Sequence, residues 1–123
     1  MKLNEKQKQE FKRLVADISP DEDLEVRATF THAEKKAKER GADAGLLEGV
    51  KTLWRMLTDP GFTIRWEVKA WIIAALAYFV SPIDAIPDVV PVLGYVDDAV
   101  VVAWVLHEIS DEVSRYRKWK GLS

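Results

Sequence analysis

Four aspartates between residues 84 and 98 are the side chains of this sequence whose types and spacing could support chemistry. They are Asp84, Asp88, Asp97 and Asp98, and the segment that carries them is rich in proline. Because such a segment between two packed helices occupies a small volume, we expect the four carboxylates to converge. Carboxylate oxygens are the ligands that Mg²⁺ and Ca²⁺ prefer in proteins. The spacing therefore raises the hypothesis of a divalent-cation site.

The same aspartates also suit structural roles, which we favour over the cation site and over catalytic carboxylates. Residues 81–84, Ser-Pro-Ile-Asp, are typical of a helix start, with Ser as the cap, Pro at the first position and Asp near the positive end of the helix dipole. Asp97 and Asp98 are placed to cap the last helix. Arg65 or Lys69 could instead pair with the carboxylates.

An ordered set of short motifs accompanies the aspartates: Tyr before Ser-Pro-Ile-Asp, then Ile-Pro-Asp, Pro-Val-Leu-Gly-Tyr and Asp-Asp. This pattern resembles the signature of the YkvA-like family, also called domain of unknown function 1232. The residues that carry the resemblance, as structural positions or as a cation site, are Tyr78, Ser81, Pro82, Asp84, Pro87, Asp88, Pro91, Gly94, Asp97 and Asp98.

The resemblance covers residues 53–107 and departs from the family at Ala85, where a larger apolar residue is more usual. It implies a small helical protein of a mostly bacterial family that is often labelled as membrane-associated. The same domain is also found fused to a eukaryotic RING ubiquitin ligase. No agreed activity comes with the family, so the resemblance names no catalytic residue.

Other constellations give little support for an enzyme. His107, Glu108 and Asp111 are spaced like part of a zinc-protease helix, but the second histidine is missing and His32 lies far away in a charged stretch. We interpret both histidines as exposed. The chain has no cysteine and no phosphate-binding loop, and Ser81 has no nucleophile elbow around it. The sequence therefore favours a non-enzymatic protein without a cofactor, with Mg²⁺ or Ca²⁺ as the alternative.

The elements that must position these residues are helices. Apolar residues recur at helical spacing in five segments, 4–18, 21–40, 43–58, 63–80 and 96–120. The fourth segment is apolar on nearly all sides, and the first part of the fifth is apolar on all sides as well. The prolines of residues 81–95 exclude a long helix between them. We predict an all-α bundle of about five helices, in which two central apolar helices are joined by the Pro/Asp-rich segment.

Composition indicates one domain spanning residues 1–123, with a charged helical pair over 1–41 and the YkvA-like part over 42–123. The net charge of −2 gives no field that would attract nucleic acid, so no nucleic-acid partner is expected. The absence of cysteine agrees with a reducing compartment, and the polar first residues do not resemble a signal peptide. We predict a cytoplasmic protein, with membrane association as an open alternative.

The apolar run 70–80 would span about 16 Å as a helix, against a hydrocarbon core of about 30 Å, so it is too short to cross a bilayer alone. Surface docking is compatible with the four tryptophans Trp66, Trp71, Trp104 and Trp119, which basic residues flank. The simpler interpretation, which we favour, is that these rings are core. We predict an interaction module that docks a protein partner, a second copy or a membrane surface; the alternative is a cation-dependent sensor or hydrolase.

Overall fold

The described residues form six helices and no strand, in a computed structural model that describes residues 2–84 and 98–121, with side chains 81–84 excepted. The helices are α1 (Glu5–Asp17), α2 (Pro20–Glu39), α3 (Ala44–Thr58), α4 (Trp66–Asp84), α5 (Asp98–Glu108) and α6 (Ser110–Lys120). The all-α prediction is confirmed. The described residues contain six helices instead of about five because the last predicted helix is interrupted.

The helix α4 is the centre of the bundle. It packs against α1, α2, α3 and α5, and every residue from Ile72 to Val80 is buried. A helix that is apolar all round must be covered on all sides, and the other helices provide that cover. The prediction of a central fourth helix is therefore confirmed. In contrast, α5 buries Val101, Val102 and Val105 but leaves Ala103 exposed, so among the described residues it is less enclosed than α4.

Local hydrogen bonds explain where the first three helices begin. The Gln7 amide donates to the Asn4 side chain at 2.8 Å and the Asn4 amide donates to the Gln7 side chain at 2.9 Å, which is a complete capping box. The Ser19 amide donates to Glu22 at 2.8 Å, ahead of α2. The Leu46 amide donates to Asp43 at 3.1 Å. These contacts satisfy amides that a helix start leaves unpaired.

The last predicted helix divides at Ile109, between α5 and α6. The Ile109 amide still donates to the Val105 carbonyl at 3.0 Å, and its own carbonyl accepts from the Val113 amide at 3.0 Å. The backbone therefore bends without losing these bonds. The Ile109 side chain is buried at the bend, and the following helix places Tyr116 against the ring of Phe62, with centroids 4.8 Å apart.

The end of α4 differs from the prediction. The helix continues through residues 81–84, past the expected end at Val80. Ser81, Pro82 and Asp84 therefore lie in its last turn, and the interpretation of Ser81 as the cap of a new helix is wrong. A proline removes one helical hydrogen bond, and in the last turn this loss does not outweigh the burial of the turns before it.

Candidate functional site

The described residues include only some of the positions of the predicted Pro/Asp site. Tyr78 is buried in α4, Asp84 ends that helix, and Asp98 begins α5 with a half-buried side chain. The remaining positions of the motif, Pro87, Asp88, Pro91, Gly94 and Asp97, lie outside the described residues. Convergence of the four carboxylates and a cation site there stay predictions. Among the residues that are described, no group of three or more His, Asp or Glu could hold a metal.

Two of the four tryptophans belong to an aromatic cluster. The rings of Trp71 and Trp104 are 5.3 Å apart, and Phe11 of α1 lies 5.8 Å from Trp71 and 5.4 Å from Trp104. Edge-to-face contacts at such distances are favourable beyond the area that they bury. Trp71 and Trp104 are half-buried. They tie α1, α4 and α5 together, in agreement with the interpretation of these two rings as core.

A third tryptophan, Trp119, lies over the loop that connects α3 to α4. Its ring atoms would come within 3.0 Å of a Cβ at Gly61, and its centroid is 5.4 Å from that of Phe62. Arg115, one turn earlier in α6, stacks its guanidinium 4.3 Å from the Phe62 centroid and donates to the Thr63 carbonyl at 2.7 Å. The C-terminal turns of α6 and this loop therefore form one packed unit.

Asp59 is the polar centre of this unit. Its carboxylate lies 3.0 Å from the Lys120 ammonium and accepts hydrogen bonds from the Tyr116 hydroxyl at 3.2 Å and the Gly61 amide at 3.2 Å. The Lys120 contact lowers the pKa of Asp59 below its ordinary value, and the carboxylate in turn raises the pKa of Lys120. Burial, followed by the hydrogen bond to Asp59, raises the pKa of Tyr116. All three groups are thereby held in their pH 7 protonation states.

Exposed aromatic and cationic side chains occur around the start of α4 and at the end of α6, two regions that the contact of Arg115 with Thr63 joins. Trp66 is 42% exposed and Trp119 is 48% exposed, so the interpretation of these two rings as core is wrong. Arg65, Arg117 and Lys118 are exposed beside them in sequence. Thr63, which contacts Arg115, precedes Trp66 by three residues. The Cα atoms of Thr63 and Trp66 are therefore at most about 11 Å apart. We call these five side chains, Arg65, Trp66, Arg117, Lys118 and Trp119, the tryptophan end.

A second surface feature is a groove along α5. It has a volume of about 560 Å³. The residues that line it, which we call the α5 groove, are Lys2, Leu3, Lys8, Ala99, Val100, Ala103, Trp104 and His107. They come from the segment before α1, from α1 and from one face of α5. Among the described residues, this face of α5 lies opposite the side that packs on the core through Val101, Val102 and Val105.

Within the part of the chain that the structure describes, the zinc-protease-like spacing forms no metal-binding group. His107 and Glu108 are exposed at the end of α5, and Asp111 is exposed in α6, beyond the interruption at Ile109. His32 is exposed on α2. The prediction that both histidines are exposed is confirmed.

Sequence reasoning missed the roles of Asp59 and Arg115. In the sequence, Asp59 is the first residue of an Asp-Pro-Gly turn signal, and Arg115 belongs to the basic end of the last predicted helix. Their partners Tyr116 and Thr63 are more than fifty residues away in the chain. The turn motif was the available signal, since aspartate at such a turn accepts a nearby amide, here that of Gly61.

None of the described helices is long and apolar enough to span a lipid bilayer. The profile of the family described as "Protein of unknown function (DUF1232)" matches residues 68–104. A protein of Bacillus subtilis strain 168, named "Uncharacterized membrane protein YkvA", is 38% identical over 78 residues, which are 60% of this chain and 74% of the relative. No solved structure gives a significant match. Shared sequence over so much of the relative shows that the chain belongs to the YkvA-like family of proteins of unknown function.

Proposed function

We propose that this protein is a non-enzymatic helical module that docks on an anionic membrane surface through the tryptophan end. The observation that carries the proposal is the exposure of Trp66 and Trp119 among the cations Arg65, Arg117 and Lys118. The relative from Bacillus subtilis is named a membrane protein, and this supports docking on a membrane.

The two rings suit the boundary between water and lipid. Tryptophan combines a large apolar surface with one N–H donor and is enriched where membranes meet water. A ring that is about half exposed on the folded protein can transfer its free surface into the headgroup region without unfolding its support. Leu24 is more exposed, at 67%, but it lies on α2. Its position outside the tryptophan end makes it a suitable internal comparison.

The cations add attraction to anionic lipid. Each Lys or Arg near such a surface contributes about 1 kcal/mol at physiological ionic strength. Lys120 is already paired with Asp59, and Arg115 is paired with Glu112 at 2.7 Å, so both contribute less. We assign the attraction to Arg65, Arg117 and Lys118, which are exposed. The exposed Glu67 opposes it, as does Glu48, which lines a small cleft together with Arg117.

Polar contacts join the two segments that carry Trp66 and Trp119. Arg115 holds the Thr63 carbonyl, while Tyr116 and Lys120 hold Asp59. The end of α6 is thereby joined to the loop that leads into Trp66. A support that is already ordered in the free protein loses little conformational entropy on binding.

The test is sedimentation of the full chain with vesicles of phosphatidylcholine alone and with added phosphatidylserine. We expect binding to the anionic vesicles that weakens with salt. Replacing both rings, Trp66→Ala with Trp119→Ala, should lower the partition coefficient by about tenfold or more, given the apolar area that is lost. The matched control Leu24→Ala should leave it unchanged. The proposal would be refuted if the partition coefficient fell equally in the double variant and in the control, or if the parent protein did not bind to anionic vesicles.

A further inference from the structure

The α5 groove is a candidate binding site that membrane docking through the tryptophan end does not use. Its volume of about 560 Å³ lies within the range of roughly 300–1,000 Å³ that is typical of small-molecule sites. Val100, Ala103 and Trp104 provide an apolar wall on α5, and Leu3 faces them from the segment before α1.

The wall of the groove is held by the core beneath it. Trp104 makes an edge contact with Phe11 at 5.4 Å and another with Trp71 at 5.3 Å. Leu3 is itself buried, next to the capping box at Asn4. The apolar wall therefore exists before any ligand arrives, and binding does not have to order it.

The charged side chains among the described residues that line the groove are basic. Lys2, Lys8 and His107 are its titratable lining residues, and among the described residues that line it none carries a carboxylate. Lys8 lies 3.8 Å from Glu5, but that acid is largely exposed, and a surface pair of this kind contributes little. An apolar wall with basic groups fits a ligand that has an apolar body and an anionic head.

The length of the groove points to a small ligand. Ala99 and His107 are eight residues apart on one helix, which is about 12 Å. A stable interface with a folded partner buries about 800 Å² on each side, more than two helical turns can offer. We propose that the α5 groove binds a single-chain amphiphile of the fatty-acid class, with its carboxylate among Lys2, Lys8 and His107.

The experiment is calorimetric titration of the full chain, without vesicles, with octanoate, decanoate and dodecanoate below their micelle concentrations. We expect saturable binding whose affinity rises about fourfold for each added methylene that the groove can cover. Decanol should bind more weakly than decanoate, because it lacks the charge.

Two pairs of variants locate the site. Ala103 and Ala28 are both exposed helical alanines, the first in the groove and the second on α2. Ala103→Asp should weaken decanoate about tenfold or more, while Ala28→Asp should not. Lys8→Gln should weaken decanoate and leave decanol unchanged, and the control Lys12→Gln should alter neither. Far-UV circular dichroism verifies that each variant is folded.

Three results would each overturn this inference. They are decanoate binding that Ala103→Asp does not weaken, the absence of saturable binding, and an affinity that does not depend on the length of the fatty-acid chain. The variant that lacks Trp66 and Trp119 should keep its decanoate affinity, since neither ring lines the groove. Failure of vesicle binding and failure of decanoate binding are therefore separate results.

Discussion

At the scale of single residues, Asp59 links protonation to stability. Its pKa is lowered in the folded protein, so it stabilises the fold above the ordinary aspartate pKa of about 4, and this contribution is lost as the pH falls through the lower folded value. The pKa values of Lys120 and Tyr116 are raised, so their contributions hold below about pH 10 and are lost above it. We expect Asp59→Asn to lower the free energy of unfolding at pH 7 and to flatten its decline in acid.

Urea unfolding at several pH values from about 3 to 7 measures this effect. Asp111→Asn is the control, because Asp111 is exposed in the first turn of α6, whereas Tyr116 and Lys120 lie in its later turns. If Asp59→Asn and the parent protein lose stability in parallel as the pH falls, Asp59 does not carry the linkage.

At the scale of elements, the contact of α3 with α5 depends on a residue without a side chain. A Cβ at Gly49 would lie 2.9 Å from Cγ1 of Val102 and 3.2 Å from Cδ1 of Leu106. Alanine in a helix is favoured over glycine by about 1 kcal/mol, but overpacking costs about 1–3 kcal/mol, and the branched Val102 has little freedom to move. We expect Gly49→Ala to lower the free energy of unfolding by about 1 kcal/mol.

A double-mutant cycle with Val102→Ala separates the two effects. In that background the new methyl group has space, so Gly49→Ala should be neutral or stabilising. A loss of the same size in both backgrounds would mean that the close approach of α3 and α5 is not the cause.

At the scale of the whole molecule, α1 and α2 share one core with the rest of the chain. Phe30 of α2 stacks on Trp54 of α3 at 4.4 Å and lies 6.1 Å from Phe79 of α4. Removing this buried ring, Phe30→Ala, should cost about 3–5 kcal/mol. Tryptophan fluorescence and far-UV circular dichroism should shift to the same lower midpoint, because one core unfolds in one step.

The exposed Leu24 on the same helix provides the control, and Leu24→Ala should change stability by less than about 0.5 kcal/mol. If the two probes separate in Phe30→Ala, the charged N-terminal pair unfolds independently of residues 42–123. The single-domain prediction would then be wrong.

The sequence by itself determined the helical class and the central position of α4 through its hydrophobic periodicity, and it indicated the family through the resemblance of a contiguous motif, because all three depend on residues close together in the chain. It did not determine that α4 continues through Pro82, that the last helix bends at Ile109, or that Asp59 meets Tyr116 and Lys120. Nor did it divide the tryptophans into Trp71 and Trp104, packed against Phe11, and the exposed Trp66 and Trp119. Only the tertiary structure decided these features, because each depends on which side chains from distant parts of the chain cover one another.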